Sequence, residues 1–183
     1  TAVTDRKPLV LPGCYDALGA RLIEQAGFEG VYMTGFGTTA SLLGRPDVGL
    51  FGLSEMVDNA RRISAAVDVP VLADADTGYG NQINVIRTVQ EYERAGVGGI
   101  HIEDQVQAKR CGHRPGKAIV PRHEMVDRIK AAVDAKIDPD FVIMARTDAI
   151  EVEGIEAAID RAAACVAAGA DMIFPEAVKD LAT

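Results

Sequence analysis

The chain has 183 residues, 48% of them hydrophobic and 25% charged, which is enough apolar material for one buried core and excludes a disordered segment. Lys and Arg number 19 against 27 Asp and Glu, and the formal charge of −8 argues against a nucleic-acid backbone as the main partner. No apolar run approaches the roughly 20 residues of a membrane span, and the start, Thr1 to Lys7, is polar with no signal-type stretch, so a soluble cytoplasmic protein is expected.

Short runs of Val, Ile and Leu alternate along the chain with longer stretches of helical spacing, the pattern of βα units on a parallel sheet. A strand is predicted at Leu9 to Leu11 and a helix at Asp16 to Ala26, then a strand at Val31 to Thr34 and a helix at Ser54 to Ala66. The next pairs are Val69 to Ala73 with Gln82 to Ala95, Gly99 to Glu103 with Arg122 to Ala135, and Phe141 to Arg146 with Ile155 to Ala168. A sixth strand falls at Met172 to Pro175, and Lys179 to Thr183 read as the opening of a further helix. Ala26-Gly27, Ala95-Gly96 and Ala168-Gly169 each stand just before a strand, where glycine ends a helix in the left-handed conformation. This recurrence describes one continuous wheel of similar units, a single α/β domain over residues 1–183. A (β/α)₈ barrel of the TIM type is the expected endpoint, but that fold takes about 250 residues. The expectation is therefore an incomplete barrel of about six βα units, with strands seven and eight and the last helix missing and the N-terminus trimmed as well. A doubly wound open sheet is the rival architecture.

In either architecture the active groups collect at the carboxyl ends of the strands, and here those ends are acidic. Strand three runs into Asp74-Ala75-Asp76-Thr77-Gly78-Tyr79-Gly80, strand four ends in His101-Ile102-Glu103-Asp104-Gln105, strand five in Arg146-Thr147-Asp148, and strand six in Glu176. Carboxylates converging on one rim repel one another unless a cation sits among them. A hard divalent ion such as Mg²⁺ suits all-oxygen donors, whereas no His or Cys pair has the spacing of a zinc site. The plain alternative is that Asp74 and Asp76 cap the next helix or pair with surface lysines. Asp104 reads as structural and His101 as a hydrogen-bonded core residue. A guanidinium at the end of an apolar strand, as at Arg146, is costly without an anion to hold, and a substrate carboxylate is the usual reason. Between strand four and the helix at Arg122 lies Lys109-Arg110-Cys111-Gly112-His113, in a loop long enough to be a lid. A thiol among basic neighbours is a candidate for donating or accepting a proton, and an exposed basic loop with an incidental cysteine is the alternative. Cys14 and Cys165 read as small core hydrophobes, and the scatter of all three cysteines fits a reducing compartment.

These motifs resemble the isocitrate lyase and phosphoenolpyruvate mutase superfamily, and within it the methylisocitrate lyases. The resemblance spans nearly the whole chain. It is carried by Pro12-Gly13-Cys14-Tyr15-Asp16, Leu43-Gly44-Arg45-Pro46-Asp47, Asp74 to Gly80, His101 to Gln105, Lys109 to His113, Met144-Ala145-Arg146-Thr147-Asp148 and Phe174-Pro175-Glu176-Ala177. It implies Mg²⁺-dependent cleavage of a carbon–carbon bond in a 2-hydroxy di- or tricarboxylate, with Mn²⁺ able to substitute and an α-keto acid released. By this likeness Asp74 would bind the metal, with Asp47, Asp76 and Glu103 around it through water. Cys111 would protonate the carbanion left by cleavage, with Lys109 and His113 counted among the catalytic groups. Arg146 and Glu176 would orient substrate, and Tyr32, Thr34, Gly35, Phe36 and Gly112 would line or close the mouth. A homo-oligomer, a tetramer built as a dimer of dimers, and a place in propionate catabolism through the 2-methylcitrate cycle are implied as well. Related lyases commonly carry Ser-Gly and a small residue where this chain has Thr34-Gly35-Phe36, which makes 2,3-dimethylmalate or another 2-alkylmalate the alternative substrate. Oxaloacetate decarboxylation or phosphonate chemistry is the runner-up within the superfamily. An inactive assembly paralogue is the non-enzymatic alternative, which loss of Cys111 or Asp74 would favour, and both are present.

Overall fold

The computed structural model describes residues 8–178. Lys179 to Thr183, predicted to open a helix, lie outside them. Six strands form one sheet: β1 (Gly13–Cys14), β2 (Val31–Met33), β3 (Val71–Asp74), β4 (Gly99–Glu103), β5 (Val142–Thr147) and β6 (Met172–Pro175). All neighbours are parallel and follow chain order, so β1 and β6 are its two edges among the described residues. Seven helices connect them: α1 (Ala17–Gln25), α2 (Gly35–Leu43), α3 (Leu53–Ser64), α4 (Gln82–Arg94), α5 (Arg122–Ala135), α6 (Ala149–Glu153) and α7 (Ile155–Ala167). Among the described residues no helix is long and apolar enough to cross a membrane.

Every residue of β4 is buried, as a central parallel strand covered on both faces requires. Val31, Val71, Ala73, Ile100, Ile102 and Ile143 supply the apolar centre of the sheet. The helices lay their apolar stripes on it: α3 buries Met56, Val57, Ala60 and Ile63, and α4 buries Val85, Val89 and Tyr92. The Ala-Gly recurrence does what its chemistry predicts. Ala26, Ala95 and Ala168 cap α1, α4 and α7, and Gly27, Gly96 and Gly169 follow with φ of 89°, 85° and 103°.

Three elements differ from the sequence reading. The first strand is not Leu9 to Leu11 but Gly13–Cys14, with pairing that starts where Tyr32 N donates to Pro12 O. Leu9 and Val10 are exposed, and the side chain that reaches the core is Cys14. Helix α2 was not expected in Gly35-Phe36-Gly37-Thr38-Thr39, where glycine and threonine are weak helix formers. It is held by its ends: Thr34 Oγ1 accepts from Gly37 N at 3.2 Å, and Gly44 terminates it at φ 61°. The short α6 is the other addition.

Register positions the polar strand ends. Asp74 lies beside His101, Glu103 beside Arg146, and Arg146 beside Phe174. The loop between β4 and α5 is closed at its base by an antiparallel bridge between Gln105 and Ile119 and by Val106 N donating to Ala118 O.

Candidate active site

The chain leaves β3 through a turn in which two residues other than glycine are left-handed, Asp76 at φ 49° and Tyr79 at φ 61°. Helix α4 holds this turn from behind. Tyr92 Oη donates to Asp74 O at 2.8 Å, Thr88 Oγ1 donates to Gly78 O at 3.0 Å, and the Tyr79 and Tyr92 hydroxyls meet at 3.1 Å. The Asp74 carboxylate accepts from Asp76 N at 2.9 Å and from Gly35 N, at the start of α2, at 3.1 Å. A helix N-terminus favours a negative charge there, and a Cβ at Gly35 would run into that carboxylate. The cap of α4 is Asn81, so neither Asp74 nor Asp76 serves as its cap.

Lys109 crosses over from the long loop. Its buried ammonium lies 3.0 Å from Asp47 Oδ1 and also contacts Asp76 Oδ1. Burial opposes the charge on Lys109, but Asp74, Asp76, Glu103 and Asp47 outweigh it and raise its pKa. Burial likewise opposes the charged form of Asp74, yet His101, Lys109, Arg146 and the Asp76 amide pull its pKa down to about 2. Asp76 goes the other way, to about 7, because burial and then the Asp74 charge act against it.

Glu103 is fully buried, and neither of its carboxylate oxygens has a hydrogen-bond partner among the described residues. Its ion-pair partner is Arg146 Nε at 3.3 Å, and burial pushes its pKa well up. Arg146 is shared widely. It makes a two-pronged contact with Asp148, at 3.1 and 3.3 Å, reaches Glu176 at 3.3 Å, and lies over the Phe174 ring. The anion that accounts for a guanidinium on this strand is thus in the first place the protein's own Asp148.

His101 is a core residue as read. Its Nε2 lies 2.9 Å from the Tyr32 hydroxyl, its ring stacks on Tyr32 and meets Phe174 edge-on, and burial above all lowers its pKa to about 4, so it is neutral at pH 7. Asp104 is structural: it accepts from Thr147 Oγ1 at 2.7 Å and from Asp148 N at 2.9 Å. Thr34 spends its hydroxyl on capping α2, and Phe36 is exposed on the helix surface. Cys111 is half-buried, and Cys14 and Cys165 are buried and free of disulfides. Gly112 packs so closely on Arg146 and Glu176 that a Cβ would strike both, and His113, itself exposed, lies 3.4 Å from Glu176. The strand-end carboxylates, Lys109, Arg146 and the segment around Cys111 therefore gather at one rim. Lys117 and the anchoring part of Asp148 were not anticipated. Lys117 is buried within a loop of basic residues that reads as solvated, and only its partners reveal it.

The donor set fits a hard cation. The carboxylates of Asp47, Asp74, Asp76, Glu103, Asp148 and Glu176 outnumber the facing Lys109, Lys117 and Arg146, every candidate ligand is oxygen, and Glu103, though ion-paired with Arg146, has no hydrogen bond to either carboxylate oxygen among the described residues. Among the described residues no three such groups close into a metal cage on their own. Mg²⁺ takes one or two carboxylates directly and keeps water for the rest.

The family model described as phosphoenolpyruvate phosphomutase matches residues 2–183. A protein named 2-methylisocitrate lyase from Escherichia coli (strain K12) is 55% identical over 182 residues, 99% of this chain and 62% of that protein. The chain thus spans about three-fifths of the length of the curated relatives it matches. A crystal structure of 2,3-dimethylmalate lyase superposes with a TM-score of 0.95 at 46% identity, covering 99% of this chain and 62% of that one. A phosphonopyruvate hydrolase solved with oxalate and Mg²⁺ superposes with a TM-score of 0.88 at 34% identity, covering 97% and 62%.

Proposed function

The chain belongs to the phosphoenolpyruvate mutase/isocitrate lyase family, and on that premise we propose that it forms the greater part of a Mg²⁺-dependent lyase that splits a 2-hydroxy di- or tricarboxylate, 2-methylisocitrate to pyruvate and succinate before others. The observation that carries the reading is the buried rim of carboxylates, with no hydrogen bond to the Glu103 carboxylate among the described residues, facing the Lys109-to-His113 segment.

Asp74 would hold the metal, with Asp47, Asp76 and Glu103 acting through water. Bound there, Mg²⁺ supplies a Lewis acid and a template for the hydroxyl and carboxylate of the half that becomes the keto acid. With a cation beside them, Asp76 and Glu103 would hold the charged form that burial disfavours. Arg146 and Glu176 bound the other side of the mouth, where a substrate carboxylate would compete with Asp148 for the guanidinium. As the hydroxyl gives up its proton to a carboxylate of the rim, its oxygen would form the keto acid's carbonyl and the electron pair of the broken carbon–carbon bond would pass to the carbon of the departing succinate half. The Cys111 thiol would give that carbon its proton, and the thiolate left behind would take up the proton released by the hydroxyl before the next turnover. Gly112 and His113, over Arg146 and Glu176, exclude water while this happens. The protein would work as a homo-oligomer in the cytoplasm.

A second reading, cleavage of 2,3-dimethylmalate, is supported by the superposition on that lyase and by Phe36 following Gly35. The test is a panel of 2-hydroxy acids incubated with protein and Mg²⁺, with keto-acid release coupled to a dehydrogenase. The fastest release is expected from 2-methylisocitrate. Faster release from 2,3-dimethylmalate selects the second reading, and no release from any member of the panel rejects both.

A further inference from the structure

Two buried polar side chains stand at the foot of the loop that carries Cys111. Gln105 follows β4 and is fully buried. Its side-chain amide takes up both main-chain groups of one residue: Oε1 accepts from Arg110 N at 2.9 Å and Nε2 donates to Arg110 O at 2.9 Å. Lys117 lies on the returning arm of the same loop, its side chain inaccessible, and Nζ donates to Gly112 O at 2.8 Å and to Asp148 Oδ1 at 2.9 Å. Arg110 precedes Cys111 and Gly112 follows it, so the two tethers grip the backbone on both sides of the thiol.

Both tethers are rooted in rigid structure. Gln105 O accepts from Arg128 Nη1 of α5 at 3.0 Å, and Gln105 bridges to Ile119. Asp148 is pinned through its amide by Asp104 and through its carboxylate by Arg146. A buried ammonium or amide costs free energy unless its hydrogen bonds are made; the Gln105 amide makes its bonds to the loop's main chain, and Lys117 makes one there and turns otherwise to the carboxylates of Asp148 and Glu151. The backbone approaches closely here, since a Cβ at Gly112 would strike Arg146 and Glu176.

We propose that Gln105 and Lys117 are positioning residues whose buried side chains clamp the backbone on either side of Cys111 and so set the thiol at the mouth of the site. The consequence for turnover rests on the proposed proton transfer from Cys111, whereas the clamp itself does not.

The test is therefore made first without metal or substrate, as the rate at which iodoacetamide alkylates Cys111 in Lys117→Met and Gln105→Leu. Cys14 and Cys165 are buried and serve as internal controls. Each variant is expected to raise the Cys111 rate by about tenfold, roughly what losing one hydrogen bond to a charged or doubly held group does to a local opening equilibrium, with both control cysteines still protected. In the active protein the same variants should lower kcat more than they change KM. Cys111 rates within twofold of the unaltered protein in both variants would overturn the clamp, even if turnover fell. Should a variant fail to fold, amide exchange in the unaltered protein decides the matter: the Arg110 amide must exchange more slowly than that of His113, and equal rates would overturn the proposal. Intact alkylation shifts in a protein that releases no keto acid would instead refute the lyase reading and leave the clamp standing.

Discussion

The proposed chemistry of the rim rests on Cys111 and Glu103. Glu103 is buried with no hydrogen bond to either carboxylate oxygen among the described residues, a state that a cation would relieve. Cys111 is half-buried in a loop whose neighbours touch Arg146 and Glu176. If its thiol is the proton donor, Cys111→Ser should lower kcat by roughly a hundredfold or more with little change in KM, because a hydroxyl fits and hydrogen-bonds but is a far weaker acid. Steady-state kinetics on the best substrate checks this, and near-normal kcat would remove Cys111 from the mechanism. At this scale Asp74, Asp76, Glu103 and Arg146 were legible because a polar residue that ends an apolar run must face the rim of a parallel sheet. Gln105, Lys117 and the anchoring role of Asp148 were not. A buried lysine looks like a solvated one until its partners are known, and those of Lys117 include Asp148 on another strand's end.

The elements that were legible are those with a local cause. The Ala-Gly recurrence marked the ends of α1, α4 and α7 because a helix that must turn sharply back into a sheet needs a left-handed residue, and glycine supplies it without strain. Gly27 offers a clean measure of that cause, since a Cβ there would meet nothing within 4 Å. Gly27→Ala is expected to cost about 1 kcal/mol through φ alone, and Gly27→Asn less, because asparagine tolerates this region. Denaturant melts rank the three proteins, and equal midpoints would mean that the turn is not strained. Helix α2 escaped notice because its cause is not local propensity. Its capping by Thr34 is visible in sequence only once a helix is suspected, and the contact of its first amide with Asp74 depends on the neighbouring strand. The displacement of β1 from Leu9 to Leu11 has a similar origin, since Leu9 and Val10 lie outward and the strand starts only after Pro12.

For the molecule as a whole, the parallel sheet in chain order gathers the buried charges of the site at one end, while Cys14 and Cys165 lie in the apolar core. Burial raises Cys14 and Cys165 from an ordinary 9.0 to about 11. Between those values the folded protein keeps protons that the unfolded chain gives up, so this contribution to stability is complete below pH 9 and is lost as pH rises through 11. Melting midpoints should therefore fall above pH 9, and the double variant Cys14→Ala with Cys165→Ala should fall less steeply. Identical slopes would show that other groups govern the alkaline limb.

The central claim is that the acidic rim works as a divalent-metal site for lyase chemistry, and turnover of 2-methylisocitrate through a cycle of metal removal and return tests it most directly. Keto-acid release is predicted to vanish in excess chelator, to return with Mg²⁺ or Mn²⁺, and to return only weakly in Asp74→Ala. Undiminished release in excess chelator would contradict the account.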